Sequence, residues 1–526
     1  MFWSNSGIIT NTYGFDFTIL LEIIHGKNNK IFKTEQIKII EQTYCGSDID
    51  QQLILMERAA KSVIQNLIKK FGKPENLYVF CGHSNNGADG YLCALIGYEM
   101  DISVTIIEET NVKKRSSLAE KVRRKCLELN ITPKPFNNSY LLDKGIIIDA
   151  LVGSGLTGAV RGDIQEIIKF VNQQGAPVIS IDLPSGIVAN TGHIPSVAVK
   201  ADLTVCLIAL KPGLLSGKVK EYLGELVVDN LGIDLCGYPN IRNFGQVLDI
   251  DQAIENLPKR RANFHKYDAG LCVIVGGDFG MGGAPIISAE ASMRIGTGLT
   301  GIVTRPDHMI ACLVRNPECL VNGITTIHEA RRLIARATAI VIGPGLGKSP
   351  WSKKMLRIFM DADVPIILDA DALSLIAEKE LTFNYKAKEI IITPHTGEAA
   401  KLLGCSASDV EENRYEAVNK LQSVFGGVVL LKGPGSVLSS IHTHELFVCP
   451  YGNASLATAG SGDLLSGVIG GLVAQGKSIQ EAAEIGVSIH SYASDMALHE
   501  HADKGLIATD LLAYMRRIIN GQKLNY

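Results

Sequence analysis

None of the eleven cysteines stands at the CxxC spacing of a zinc or redox motif, and an odd, scattered set argues against a disulfide framework. A reducing cytoplasm fits that usage. The chain also lacks any run of 18 uncharged apolar residues, about the least that crosses a bilayer as a helix. Its start lacks the basic patch, apolar stretch and small-residue cleavage site of a secretory signal. The expectation is a soluble protein with no membrane partner. An excess of one charge is missing too: 51 basic and 54 acidic residues leave a formal net charge of -3, which implies no broad attraction to nucleic acid or anionic lipid. An anionic ligand then has to be held locally. Internal repeats and low-complexity tracts are absent.

What is present is enough apolar material, 46% of 526 residues, for more than one core, so two domains, possibly three, are expected. Short Val- and Ile-rich runs that end in Gly, Pro, Asp or Asn alternate with helical patterns, the signature of parallel α/β sheets. The first series is LYVFCG (77–82), ISVTIIEE (102–109), GIIIDALVG (145–153), PVISIDLPSG (177–186) and LTVCLIALKPG (203–213). The second is LCVIVGGDFG (271–280), GIVTRP (301–306), AIVIGPGLG (339–347), VPIILDADAL (364–373), EIIITPH (389–395) and GVVLLKGPG (427–435). Between them, roughly 235–262, the sequence is polar and irregular, which places the domain boundary there. Residues 1–30 show no period and are left as an unassigned extension. Sites are expected at the strand C-termini.

In the second half, ATAGSGDLLSGVIGGL (457–472) turns tightly through small residues into an apolar helix whose first amides can hold an oxyanion or phosphate. Asp463 at that helix start is placed to take a proton from a hydroxyl attacking phosphate; read blandly, it is an acidic first-turn residue. Before it, LLKGPGS (430–436) offers Lys432 and glycine amides to a nucleotide phosphate, followed by a hairpin (437–450). GPGLGKS (343–349) has three residues where a Walker A loop needs four, so it is read as a Gly-rich substrate loop. The order of strand, KG loop, hairpin and GSGD helix resembles the ribokinase superfamily. With HKYDAG (265–270), VGGDFGMGGAP (275–285), GPGLG, DADAL (369–373) and PHTGE (394–398), residues 250–520 look like the ADP- or ATP-dependent NAD(P)H-hydrate dehydratase. That resemblance implies hydrate contacts at Ala284, Gly347, His395 and Asp463. It implies nucleotide contacts at Lys432, Gly433, Pro434, Gly435, Ser436 and Gly462, with Asp463 the catalytic base. A bound Mg2+ is implied as well. Taken alone, His395 at a strand end is an ordinary capping residue and Ala284 a packing residue.

In the first half, GHSNNGADGY (82–91) follows a strand and opens a helix, so its amides can hold a phosphate while Asn85, Asn86 and Asp89 supply oxygens and donors. IDALVGSGLTGAVRG (148–162) contains a formal GxGxxG, which keeps a dehydrogenase in view. IDLPSG (181–186) puts Asp182 and Ser185 at the same sheet edge. Asn86, Asp149 and Ser185 offer oxygen ligands of the kind hard cations take. Together with LMERAA (55–60), these elements resemble the NAD(P)H-hydrate epimerase family over residues 31–240, with Ser84 and Ala88 where the family pattern has glycine. The resemblance implies K+ at Asn86, Asp149 and Ser185. It implies hydrate contacts at Asn85, Asn86, Gly87, Ala88 and Asp89, and again at Gly153, Ser154, Gly155, Leu156, Thr157, Gly158 and Ala159, with Asp182 catalytic at the reacting nicotinamide.

The expected architecture is therefore α/β in two domains, an N-terminal Rossmann-like three-layer sandwich and a C-terminal ribokinase-like domain. The expected function is repair of hydrated nicotinamide cofactors, NAD(P)HX, by a homo-oligomer using ADP or ATP. The alternative is a ribokinase-superfamily small-molecule kinase carrying a non-catalytic nucleotide-binding first domain. A nucleotide sensor without turnover is a further competitor.

Overall fold

A computed structural model describes residues 29–524, apart from 111–113, 141, 143, 325, 380, 382, 441–444 and 502–503. Most of the unassigned extension (1–28) and the tip of the expected hairpin lie outside the described residues. The chain divides into two compact units, Met1–Phe244 and Gly245–Tyr526. Among the described residues no helix is long and apolar enough to cross a membrane.

In the first unit the apolar runs become β1 (Asn76–Cys81), β2 (Ser103–Glu108), β3 (Lys134–Pro135), β4 (Ile146–Ala150), β5 (Val178–Ile181), β6 (Leu203–Leu207) and β7 (Glu225–Asp229). They form one seven-stranded sheet in the order β3-β2-β1-β4-β5-β6-β7, with every pair parallel. Alternation along β1 explains the layering: Leu77, Val79 and Cys81 join one apolar cluster, Tyr78 and Phe80 another. The first cluster takes residues from helices Ile49–Phe71, Asn85–Glu99 and Ser117–Glu128, the second from helix Asp163–Gln173. A strand buried on both faces reads as a continuous apolar run, which is why the sequence shows one. The result is a three-layer sandwich. Strand order reverses between β1 and β4, and ligands of such sheets bind at that switch point.

In the second unit the strands are β8 (Gly245–Val247), β9 (Leu271–Val275), β10 (Leu299–Thr304), β11 (Leu320–Gly323), β12 (Ala339–Ile342), β13 (Ile366–Leu368), β14 (Ile390–Ile392), β15 (Val428–Leu431), β16 (Val437–Ser440) and β17 (Leu446–Val448). Their order is β8-β17-β16-β15-β14-β13-β12-β9-β10-β11. The pairs from β11 to β15 are parallel, whereas β16 runs antiparallel to both neighbours. Again the order reverses centrally, between β9 and β12, so the GGDFG and GPGLG loops emerge side by side. Helix Ser461–Ala474 packs against helix Gly283–Arg294 through glycine. A Cβ on Gly467 would fall 2.0 Å from the Ser288 carbonyl oxygen, and one on Gly470 would fall 2.3 Å from Val341 Cγ2. Larger residues there would push the helix off the sheet and move its N-terminus, the GSGD turn, away from the strand ends.

Candidate active sites

In the first unit, helix Asn85–Glu99 begins after Ser84, an extended N-cap whose side chain makes no capping bond, so the first-turn amides are not spent on a cap. Asn86 is 7% exposed and its Nδ2 has no partner among the described residues. Close approach fixes two glycines of this loop. A Cβ on Gly82 would sit 1.9 Å from the Leu151 carbonyl oxygen, and one on Gly87 would sit 2.0 Å from that of Gly82. Ser84 and Ala88 stand where no such demand exists, and the Ala88 methyl is buried in the core.

Three loops meet at this edge. A Cβ on Gly153 would lie 3.1 Å from Asn86 Cβ, so the GSGLTG loop rests on Asn86. Val152 N donates to Ser185 Oγ at 2.9 Å. Asp149, wholly buried, accepts from Ser185 Oγ at 2.6 Å, Ser185 N at 2.8 Å, Ser180 Oγ at 2.8 Å and Leu151 N at 3.3 Å. Burial pushes its carboxyl above the ordinary range, while the bonds from Ser185 and Ser180 pull it back. Ser154 and Leu156 are half-buried, whereas Gly155, Thr157, Gly158 and Ala159 form an exposed rim.

Asp182 sits beyond β5 with φ at 70°. Lys211 Nζ donates to its Oδ1 at 2.5 Å, and Leu207 N to the same oxygen at 3.2 Å. Lys211 is only 2% exposed. Burial works against its charge, but Asp182 and Cys206 raise it above the ordinary lysine value. Burial, then the charges of Asp182 and Glu41, raise Asp89 well above its ordinary value. Glu41 is raised by burial and Asp182 and lowered by Lys211. Lys211 and Glu41 had no role in the sequence reading. The signal for Lys211 was a lysine closing an otherwise apolar run, before Pro-Gly; Glu41 had none.

In the second unit, Gly460 enters helix Ser461–Ala474 at φ 86°, and Asp463 occupies the first turn. Burial first, then Asp369, lifts the Asp463 carboxyl from an ordinary 3.8 to about 6, against the pull of Lys432. Lys432 Nζ donates to Asp369 Oδ1 at 2.6 Å, and Asp369 Oδ2 is buried without a partner among the described residues. A Cβ on Gly462 would come within 3.1 Å of Lys432 Nζ, so the KG loop lies against the GSGD turn. Burial opposes the Lys432 charge, and Asp369 and Glu398 outweigh it.

The KG loop is clamped from behind. Arg414, 1% exposed, donates through Nη2 to the carbonyls of Leu431 at 3.3 Å and Lys432 at 3.1 Å, while Nη1 pairs with Glu411 at 2.7 Å. Ser436 Oγ donates to Gly433 O at 3.1 Å and accepts from Gly433 N at 3.3 Å, closing the turn through exposed Pro434 and buried Gly435. Asp369 was visible in DADAL without a role; Arg414 gave no signal, being one charge among many on a helix.

Gly345, two residues before Gly347, meets Ala284 at the switch point. Asp278 N donates to Gly345 O at 2.7 Å, and a Cβ on Gly345 would lie 3.0 Å from that of Ala284. Gly347 has φ 70° and donates to Asp371 Oδ2 at 2.8 Å. His395 caps helix Thr396–Leu403: its Nδ1 accepts from Gly397 N at 2.9 Å. The bland reading of this residue is what the fold displays, yet the ring side chain stays 60% exposed, with Nε2 3.5 Å from Glu398 Oε1. Among the described residues no three or more His, Cys, Asp or Glu side chains are grouped to hold a metal ion.

Two families match this chain. Residues 52–213 match the one described as YjeF-related protein N-terminus, and residues 272–517 the one described as NAD(P)H-hydrate dehydratase. The chain is 38% identical to the bifunctional NAD(P)H-hydrate repair enzyme Nnr of Coxiella burnetii, over 93% of its own length and 99% of that protein. It is 37% identical to the protein of the same name from Escherichia coli, over 89% of each. The solved ADP/ATP-dependent NAD(P)H-hydrate dehydratase of Bacillus subtilis, co-crystallised with ATP/Mg2+, is 26% identical with a TM-score of 0.47, covering 52% of this chain and 96% of its own.

Proposed function

Since the chain belongs to the bifunctional NAD(P)H-hydrate repair enzymes, we propose which residues of each unit carry its two reactions. The enzyme is an isomerase and a lyase: it interconverts R- and S-NAD(P)HX and dehydrates the S form to NAD(P)H with ADP or ATP as co-substrate. A small-molecule kinase with an inert first domain is not favoured, because relatives matching both halves are repair enzymes.

Dehydration belongs to residues 250–520, and the observation that carries it is the convergence of Asp463, Lys432 and Asp369 at the GSGD helix start. Asp463 takes the proton of the ring hydroxyl as that oxygen attacks the terminal phosphoryl group. The amides of the turn, Gly462 among them, hold the transferring oxygens. Lys432 and the loop Gly433, Pro434, Gly435 and Ser436 hold the nucleotide phosphates. Phosphate then leaves its ring carbon with the C–O electron pair and the neighbouring ring carbon gives up a proton, which together restore the double bond. Ala284, Gly347 and His395 bound the hydrate. Magnesium would be held mainly by the nucleotide's own phosphates, as it usually is where few carboxylates are grouped.

Epimerisation belongs to residues 31–240. Asp182, fixed by Lys211, transfers the proton at the epimerising centre, over loops 85–89 and 153–159. The donor set suits K+: Asp149 is a buried carboxylate bonded only to neutral donors among the described residues, and Asn86 and Ser185 add oxygens at the same edge. A cation held there would neutralise Asp149 and tie the loops together. A homo-oligomer in the cytoplasm completes the proposal; eleven free cysteines support a reducing compartment.

The decisive assay incubates the purified chain with mixed NADHX epimers plus ATP, ADP or neither, and follows reduced-nicotinamide absorbance. Full nucleotide-dependent recovery, lost in Asp463→Asn, supports both assignments. Recovery that stops at the S fraction removes the epimerase, and none with either nucleotide removes the dehydratase.

A further inference from the structure

We propose that Glu109 forms the adenosine-ribose subsite of the first unit and makes its epimerisation prefer NADHX to NADPHX. The inference rests on the epimerase reading, which puts the hydrated ring at Asp182 and Lys211, beside β5 and β6. The glycine loop and the start of helix Asn85–Glu99 lie at the switch between β1 and β4. There, uncommitted amides and the unpartnered Nδ2 of buried Asn86 suit a pyrophosphate. A dinucleotide with its ring over β5 and β6 and its phosphates at the switch carries its adenosine onto the opposite side, over the end of β2.

Two acids stand at that end, and their surroundings differ. Glu108 is consumed by the fold, bound by Arg115 at 2.9 Å, Arg123 at 2.7 Å and the Tyr91 hydroxyl at 2.6 Å. Glu109 faces the glycine loop instead: its Oε1 lies 2.9 Å from Nδ1 of His83, a loop residue whose carbonyl is tied to Ser116 N at 2.9 Å. Among the described residues Oε2 of Glu109 accepts no hydrogen bond. In sheets of this strand order an acid about 20 residues past the glycines accepts the ribose hydroxyls. A carboxylate in that place repels a 2′-phosphate. Arg115, a cation close by, is engaged with Glu108 through Nη2, and its remaining Nε is buried.

The test uses the full chain and purified R-NADHX or R-NADPHX without nucleotide, so that only epimerisation runs, read by chromatography of the two epimers. Wild type should favour NADHX in kcat/KM by about ten- to a hundredfold, the usual worth of a hydrogen bond to a charged group. Glu109→Gln should collapse that ratio towards one, while its dehydration of S-NADHX with ATP stays at the wild-type rate. A wild-type ratio near one, or a preference that survives the substitution, overturns the proposal. Calorimetric titration of both proteins with ADP-ribose and 2′-phospho-ADP-ribose separates the two readings, because the dehydratase unit contributes equally to each protein. A preference for ADP-ribose lost in Glu109→Gln, in a chain that epimerises neither substrate, upholds the subsite and removes the epimerase reading. Equal changes for both ligands remove the subsite.

Discussion

The Lys211 ammonium lies 2.5 Å from Oδ1 of Asp182, and Asp182 is held there at φ 70°. A non-glycine residue in that region costs on the order of 1–3 kcal/mol and persists only where its surroundings over-determine it. Here they do: the same oxygen takes Leu207 N, and Lys211 Nζ also donates to the Leu207 carbonyl at 3.1 Å. These bonds fix where the Asp182 carboxyl group stands.

Lys211→Met keeps most of the stem volume and removes the charge. Epimerisation should fall by about 10²–10⁴-fold, the scale of a lost acid–base function, while dehydration of purified S-NADHX with ATP stays at the wild-type rate. Separate assays of the two reactions check this. Unchanged epimerisation would mean that the pair serves only the fold.

Asp463→Asn should have the reverse effect, cutting dehydration by about 10²–10⁴-fold and sparing epimerisation. The wild-type pH profile carries a second check. Burial and Asp369 raise Asp463 to about 6; below that pH it is protonated and cannot accept the hydroxyl proton. Dehydration kcat/KM should therefore decline on the acid side of about 6, tenfold per pH unit, and a profile flat down to pH 5 would exclude Asp463 as the base.

The sheets were legible because their strands are buried on both faces and read as apolar runs; Ile390–Ile392 and Ala339–Ile342 could hardly be anything else. Short strands such as Lys134–Pro135 and Gly245–Val247 carry too few residues to leave a pattern. Glycine turns were legible for a related reason, since Gly82, Gly87 and Gly347 mark places where backbone or a side chain comes close. Lys211, Glu41, Asp369 and Arg414 act through partners brought from distant strands and helices, and no local spacing encodes such a meeting.

Gly347→Ala tests whether the GPGLG loop bounds the hydrate. Beyond the strain of φ 70°, the new Cβ would fall 2.8 Å from Asp278 Oδ2. Asp278 cannot yield easily, held by Arg305 at 2.8 Å and Ser352 at 3.1 Å. The loop must move instead and give up its bond to Asp371. Displacements of about 1 Å can cost on the order of 10²-fold, so kcat/KM for S-NADHX should drop towards that size. Nucleotide affinity, set by the KG loop, should hold in a direct binding titration.

The potassium ion proposed at Asn86, Asp149 and Ser185 would leave a signature that does not depend on turnover. The Asp149 carboxylate is wholly buried, and its neutral donors supply four bonds without supplying charge. A cation bound only by the folded state stabilises it by mass action, and the gain grows with the logarithm of the free cation concentration. The melting temperature of the first unit should rise as KCl replaces tetramethylammonium chloride at fixed ionic strength, because the bulky cation cannot enter the loops. Epimerisation should rise in parallel and dehydration should not follow it. Asp149→Asn removes the charge that needs neutralising, so both potassium effects should vanish in that variant. Equal melting temperatures in the two salts would leave Asp149 as a structural hydrogen-bond acceptor and remove the cation from the mechanism.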